Sequence, residues 1–168
     1  MKRLYIALTM LLVSATTLSA EENVNYLADI FPDEYCLALN IYYESRGSSL
    51  ADQIAVADVV INRVNDTRYP DTVCSVVKQG KVDSRGNMIR HKCQFSWYCD
   101  GKPDTPQDAD SWVNAQTIAW KMMQSKSYIG ITEGATHYHA HYVNPKWAKE
   151  LTVIGTVGNH KFYRWDRK

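Results

Sequence analysis

Cys36-Leu37-Ala38-Leu39-Asn40-Ile41-Tyr42-Tyr43-Glu44-Ser45-Arg46-Gly47 reads as a buried helix that ends on a carboxylate. Pro32-Asp33 precedes the stretch, and Gly47 suits the left-handed conformation past a helix end, which predicts a first helix over residues 34–46. At 100° per residue Glu44 falls about 20° from Leu37, seven positions back, and it follows Ile41 by three. A carboxylate therefore shares the apolar face of this helix. It also lies in the last turn, where the negative end of the helix dipole opposes ionisation, and partial burial acts in the same direction.

Ser48-Ser49 offers caps, with Asp52 three residues after Ser49, for a second, mostly buried helix through Leu50, Ile54, Ala57, Ile61 and Val64. Asp71 or Thr72 starts a short third helix through Val73, Val76 and Val77. Between Lys81 and Asp110 the periodicity fails: Gly86, Gly101, Pro103 and Pro106 punctuate a polar stretch whose main apolar content is Phe95-Ser96-Trp97-Tyr98. Unpatterned stretches of this length are usually functional or disordered, and the paired cysteines and clustered aromatics favour an ordered lobe facing a substrate. A further helix runs through Trp112, Ala115, Ile118, Ala119 and Met122 and fades by Gly130. The period then changes to two. Residues 135–143 and 151–157 read as strands, and Gly158-Asn159 as the turn into His160-Lys161-Phe162-Tyr163. No internal repeat or low-complexity segment is present. The expected fold is a mostly helical α+β domain with a small antiparallel β-sheet.

Of the 168 residues, Met1-Lys2-Arg3, the apolar run from Leu4 to Val13 and the small residues Ala15, Ser19 and Ala20 read as a secretory signal peptide over residues 1–20. The run is shorter than the roughly 20 apolar residues of a spanning helix, so no stable membrane span is expected after cleavage. Val13-Ser14-Ala15 is an alternative cleavage site, and a buried N-terminal helix the alternative structure. Residues 21–33 then form an N-terminal extension, and residues 34–168 one domain. With 45% apolar and 22% charged residues the composition is that of an ordinary globular protein, not of a disordered or collagen-like chain. Without Lys2 and Arg3, 17 basic side chains face 18 acidic ones, which leaves no electrostatic footprint for nucleic acid.

An exported chain with four cysteines is expected to form disulfides. Three pairings exist, and Cys93–Cys99 with Cys36–Cys74 is preferred because the first closes a small loop and the second ties the first helix to a later segment. A zinc site is the rival use of these thiols, although no Cys-x-x-Cys pair occurs.

A carboxylic acid held protonated near neutrality suits cleavage of a glycosidic bond, where the leaving oxygen must take up a proton. From spacing alone, a Glu44 paired with Arg46 or another arginine at the helix end is the plainer account. The run from Cys36 to Gly47, followed by Gln53-Ile54-Ala55-Val56-Ala57-Asp58-Val59-Val60-Ile61-Asn62-Arg63-Val64, nevertheless resembles the SleB/CwlJ family of cell wall hydrolases. So do Tyr69-Pro70-Asp71-Thr72-Val73-Cys74-Ser75-Val76-Val77, Cys93-Gln94-Phe95-Ser96-Trp97 and Gly134-Ala135-Thr136-His137-Tyr138-His139. Val143-Asn144-Pro145-Lys146-Trp147 and Gly158-Asn159-His160-Lys161-Phe162-Tyr163 complete a resemblance spanning roughly residues 34–164.

The resemblance implies a fold similar to the lysozyme-like lytic transglycosylases, peptidoglycan as substrate, and no cofactor. It also implies that Glu44, the glutamate of the Tyr-Tyr-Glu-x-Arg-Gly block, is the catalytic acid. Ser45 and Ser48 stand where the family more often has Ala and Glu, while Glu44, Arg46 and Gly47 are retained. Around Glu44 the expected substrate-binding residues are Gln94, Ser96, Trp97, Tyr138 and His139. Gln and Ser would hydrogen-bond sugar hydroxyls or acetamido groups, Tyr138 would orient the acid, and Trp97 or Tyr98 would face a pyranose ring, with core packing as the alternative for the aromatics. Asp58 and Asn62, at i and i+4 on the second helix, read as a solvated stripe rather than as support for the site.

His137-x-His139-x-His141 is the strongest competing signal, since three imidazoles on one strand face, with His160 near them, are a potential zinc site. A metal-dependent amidase or peptidase acting on the same wall would use them. The histidines can equally face solvent or form hydrogen bonds, and no metal site is assigned to them.

Overall fold

The computed structural model describes residues 28–166; the expected signal peptide lies outside them. Helix α1 (Pro32–Ser45) starts with Pro at its first position and carries Asp33 and Glu34 in its first turn. It is buried on every side from Cys36 to Tyr42, Asn40 included, which is the pattern of a helix at the centre of a domain. Helices α2 (Leu50–Val64), α3 (Val73–Val77) and α4 (Ala109–Gln124) pack around it. Phe31 meets Trp120 of α4 edge-on at 5.0 Å, so packing begins before the helix itself.

The caps of α2 and α3 fall where the sequence places them; that of α4 is one the sequence reading does not name. Ser49 accepts from Asp52 N at the start of α2, Thr72 from Ser75 N at α3, and Asp108 from Ser111 N at α4. Two connections fix α1 to its neighbours. The Cys36–Cys74 disulfide joins it to α3, and beside it the Asp33 carboxylate accepts from Cys74 N at 2.9 Å, at the N-terminus of α3. Tyr42 Oη accepts from the N–H groups of Gln107 and Asp108, both at 3.0 Å, which docks the entry to α4.

Helix α2 divides the interior. Ile54, Ala57, Val60 and Ile61 belong to the helical core with Leu37, Ile41 and Trp112, while Ala55, Val56 and Val59 pack against Phe162 of the β-layer and Ala135 just before it. That layer is antiparallel with strand order β3–β5–β4, from β3 (His137–Ala140), β4 (Thr152–Val157) and β5 (His160–Arg164). Strand β3 is shorter than the expected 135–143 and ends at Ala140, so His141 leaves the ladder. Helix α4 likewise stops at Gln124, and left-handed residues Lys126, Tyr128, Gly130, Glu133 and Gly134 turn the chain back toward the sheet.

The unpatterned stretch contains a hairpin that the sequence reading does not resolve: β1 (Gly80–Val82) and β2 (Met88–Cys93), antiparallel, followed by a 3₁₀ turn at Ser96–Cys99. Five of the six β2 residues are exposed, so no alternation of apolar and polar residues marks the strand. The Cys93–Cys99 disulfide ties β2 to the 3₁₀ turn.

Gly158, in the β4–β5 turn, has φ 54°, and a Cβ there would lie 2.6 Å from Asp52 Cβ. The same Asp52 carboxylate accepts from Asn159 N at 3.1 Å and pairs with His160 Nδ1 at 2.9 Å. Gly158→Ala is therefore expected to destabilise the domain by about 1–3 kcal/mol, read as a lower urea midpoint. An unchanged midpoint would mean that the turn yields without moving Asp52.

Candidate active site

Glu44 is held in the last turn of α1 by the packed face below it, as its spacing from Leu37 and Ile41 requires. Five parts of the chain converge around it in a pocket of about 260 Å³. Glu44 comes from α1, Arg63 from α2, Gln94, Phe95 and Ser96 from the segment after β2, Tyr138, His139 and Ala140 from β3, and His160 from β5. Four of the five expected substrate-binding residues thus line one pocket with Glu44.

The fifth does not. Trp97 is only 8% exposed; its ring stacks on Tyr43 at 4.8 Å and its Nε1 donates to buried Asn40 at 3.4 Å. The apolar body of the indole packs in the core, and its polar edge is spent on α1. Arg46 is not the partner of Glu44 either. It sits 4.8 Å over the Tyr42 ring and donates to Tyr42 O at 3.3 Å.

Tyr138 Oη donates to Glu44 Oε2 at 3.1 Å. Burial raises the Glu44 pKa above the usual carboxylate range, while the Tyr138 hydrogen bond and the positive potentials of His160 and Arg63 pull it back without reversing the shift. Burial, together with the neighbouring Glu44 charge, holds the Tyr138 phenol well above its ordinary value, so it remains a donor. His160 is buried and fixed by Asp52 on α2. Arg63 is buried, donates from Nε to Thr136 O at 2.8 Å and lies between the Tyr69 and Phe95 rings. Its Nη1 meets no acceptor among the described residues.

Arg63, His160 and Asp52 are missed by the sequence reading. The helical-spacing argument that singles out Glu44 applies equally to Arg63, seven residues after buried Val56 and so about 20° from it. Asp58 and Asn62 correct an expectation: they are no solvated stripe. Asp58 is fully buried and accepts from Gly130 N at 2.8 Å, Thr132 N at 2.9 Å and Thr132 Oγ1 at 2.5 Å. Asn62 donates to Ala135 O at 3.0 Å. The pair anchors the left-handed segment that delivers β3, and with it Tyr138, to Glu44.

The three histidines each engage a different partner. His137 Nδ1 lies 3.0 Å from Thr136 Oγ1, and burial, then Arg63 and Arg68, lower its pKa to about 4. His139 Nδ1 donates to Ala140 O at 2.9 Å, and its Nε2 lies 2.8 Å from Tyr163 Oη. His141, exposed beyond the strand, donates to Asn159 O at 3.1 Å. Among the described residues no three His, Cys, Asp or Glu side chains are grouped to hold a metal ion.

The sequence profile described as Cell Wall Hydrolase matches residues 47–163, more than half of the chain. The chain belongs to the cell wall hydrolase family. The match begins at Gly47, three residues past Glu44, and is shorter at its start than the resemblance over residues 34–164. The catalytic domain of the germination-specific lytic transglycosylase SleB from Bacillus anthracis superposes with a TM-score of 0.58 at 23% identity, covering 79% of this chain and 93% of that one. The catalytic domain of the Bacillus cereus SleB protein gives 0.53 at 24% identity, covering 79% and 91%. At these identities the likeness establishes the fold, the lysozyme-like α+β architecture expected for the family. The spore cortex-lytic enzyme of Oceanobacillus iheyensis is 42% identical over 45 residues, 27% of this chain, and the chain spans 16% of that protein's length.

Proposed function

We propose that this cell wall hydrolase cleaves the glycan strands of peptidoglycan as a lytic transglycosylase, with Glu44 as its catalytic acid and then base. The observation that carries the reading is that Glu44 is the one carboxylate lining the pocket among the described residues, and that burial favours its protonated form. Protonated Glu44 gives its proton to the glycosidic oxygen as the bond to the anomeric carbon of the muramic acid residue breaks. The C6 hydroxyl of that same sugar attacks the anomeric carbon and returns its proton to the Glu44 carboxylate, closing a 1,6-anhydro ring. The nucleophile is already part of the substrate, so no second carboxylate is needed to activate water. Tyr138, His160 and Arg63 stabilise the ionised Glu44 that exists between the two steps. Gln94 and Ser96 offer hydrogen bonds to sugar hydroxyls or acetamido groups across the pocket.

The same reading places the enzyme outside the cytoplasm, delivered by the signal peptide and stabilised there by its two disulfides. No helix among the described residues is long and apolar enough to cross a membrane.

Mass spectrometry of the fragments that the disulfide-intact chain releases from purified peptidoglycan tests the bond class. Muropeptides with cut glycan, unaffected by chelator, are expected. Free stem peptides with intact glycan, lost on adding chelator, would move the chemistry to a metal-dependent amidase or peptidase using His137, His139 and His141.

Because Glu44 must be protonated to act, activity is expected to fall as pH rises through its elevated pKa. The Tyr138 hydrogen bond lowers that pKa, so Tyr138→Phe should move the alkaline limb of the kcat profile to higher pH. A limb that stays in place, or moves down, would detach Tyr138 from the titrating group.

A further inference from the structure

A second cleft, about 480 Å³, is lined by His137, Trp147, Glu150, Leu151 and Trp165. We infer that this cleft binds an uncharged N-acetylhexosamine ring of the same glycan strand, adjoining the site of cleavage. The inference rests on the proposed glycan-cleaving function and adds to it a site and a preference.

Continuity is the first support. Trp147 packs against His139, which lines the Glu44 pocket, at 5.6 Å, and against His137, which lines the cleft, at 5.3 Å. His137 and His139 are alternate residues of β3 and so lie roughly 7 Å apart along one face of the strand. Tyr138, between them, turns to the opposite face and to Glu44, so a glycan strand running from Glu44 to the cleft crosses β3, the edge strand of its sheet, at His139.

The walls are the second support. Trp165 is 46% exposed, yet it is not loose: the Arg68 guanidinium lies 4.4 Å from its ring centroid, and Arg68 Nη2 donates to its carbonyl at 2.8 Å. Trp147 is held against Tyr163 as well as the two histidines. Two indoles fixed before any ligand arrives present flat apolar surface to a pyranose at little ordering cost. This is the role that the sequence assigns to Trp97 or Tyr98, and Trp97 packs in the core instead.

Charge is the third. Glu150 is the acidic group of the cleft, and His137 stays neutral above about pH 4. A carboxylate at the rim repels the lactyl and stem-peptide carboxylates of a muramyl residue, while it accepts hydrogen bonds from hydroxyls and an acetamido N–H. An uncharged sugar is the occupant that fits.

The test uses the full disulfide-intact chain carrying Glu44→Gln, so that no turnover occurs, titrated with a soluble N-acetylglucosamine oligomer while the indole N–H signals are followed by NMR. The Trp147 and Trp165 signals are expected to shift on binding. Adding Trp165→Ala should weaken binding by about five- to tenfold, with Trp165→Phe retaining most of it. In the chain with Glu44 intact, Trp165→Ala should raise KM on peptidoglycan rather than lower kcat. Shifts of these indoles with a soluble stem peptide but not with the oligomer would overturn the inference in favour of a peptide site. Oligomer binding that leaves both indoles unmoved, or an unchanged KM in Trp165→Ala, would overturn it while leaving the Glu44 reading intact. If the Glu44→Gln chain still cut glycan, the functional reading itself would fail, whatever the indoles do.

Discussion

Glu44→Gln should lower peptidoglycan cleavage by about 10²–10⁴-fold with the fold intact, the usual cost of removing a general acid. The amide keeps the shape of the side chain and can still accept from Tyr138 Oη, but it has no proton to give the leaving oxygen. Because the acid form of Glu44 is the one favoured by burial, replacing it with a neutral isostere should leave the urea midpoint unchanged or raise it slightly. Loss of activity together with a large loss of stability would point to a structural role for the carboxylate instead. Retained activity would place the proton donor elsewhere in the pocket.

The largest effect on stability is expected at Asp58. Its carboxylate is fully buried and takes hydrogen bonds from two backbone N–H groups and the Thr132 hydroxyl, at 2.5–2.9 Å. Asp58→Ala leaves these donors without an acceptor inside the protein, at a cost of about 3–5 kcal/mol. That is a large share of the about 5–15 kcal/mol by which domains of this size are stable. Urea unfolding of the disulfide-intact variant measures it. Activity should fall further than the folded fraction accounts for, since the segment that Asp58 anchors sets the position of Tyr138 beside Glu44. A change under 1 kcal/mol would show that this segment is held by its other contacts.

Much of the fold was legible because short-range rules and burial agreed. The apolar run of α1, the Ser49 and Thr72 caps and the Gly158-Asn159 turn each have a local physical cause, and each recurs in the structure. Helix α1 stops at Ser45, but Gly47 does not take the left-handed conformation that its place in the sequence suggests. The β1–β2 hairpin escaped because its strands lie on the surface, where nothing enforces a period of two. Strand β3 was overdrawn because His141 continues the alternation in sequence after the ladder has ended.

The site was legible in the same uneven way. Glu44, Gln94, Ser96, Tyr138 and His139 sit in recognisable blocks, and the chain brings them to one pocket. Trp97 belongs to such a block too, but the spacing of an aromatic residue does not say whether its ring faces a sugar or the core. Asp52 and Asp58 look like surface residues of an amphipathic helix. They are buried because α2 is covered on both sides, by the helical core and by the sheet, a fact of tertiary packing that helical periodicity alone does not contain.

In the proposed mechanism one carboxylate cleaves the glycan while the substrate supplies its own nucleophile. Digestion of purified peptidoglycan in ¹⁸O-labelled water, with mass spectrometry of the new muramic acid ends, tests it most directly. Unlabelled 1,6-anhydro ends are expected, formed by the wild-type chain and not by Glu44→Gln. Reducing ends with ¹⁸O at the anomeric carbon would contradict it, because water, and not the C6 hydroxyl, would then have been the nucleophile.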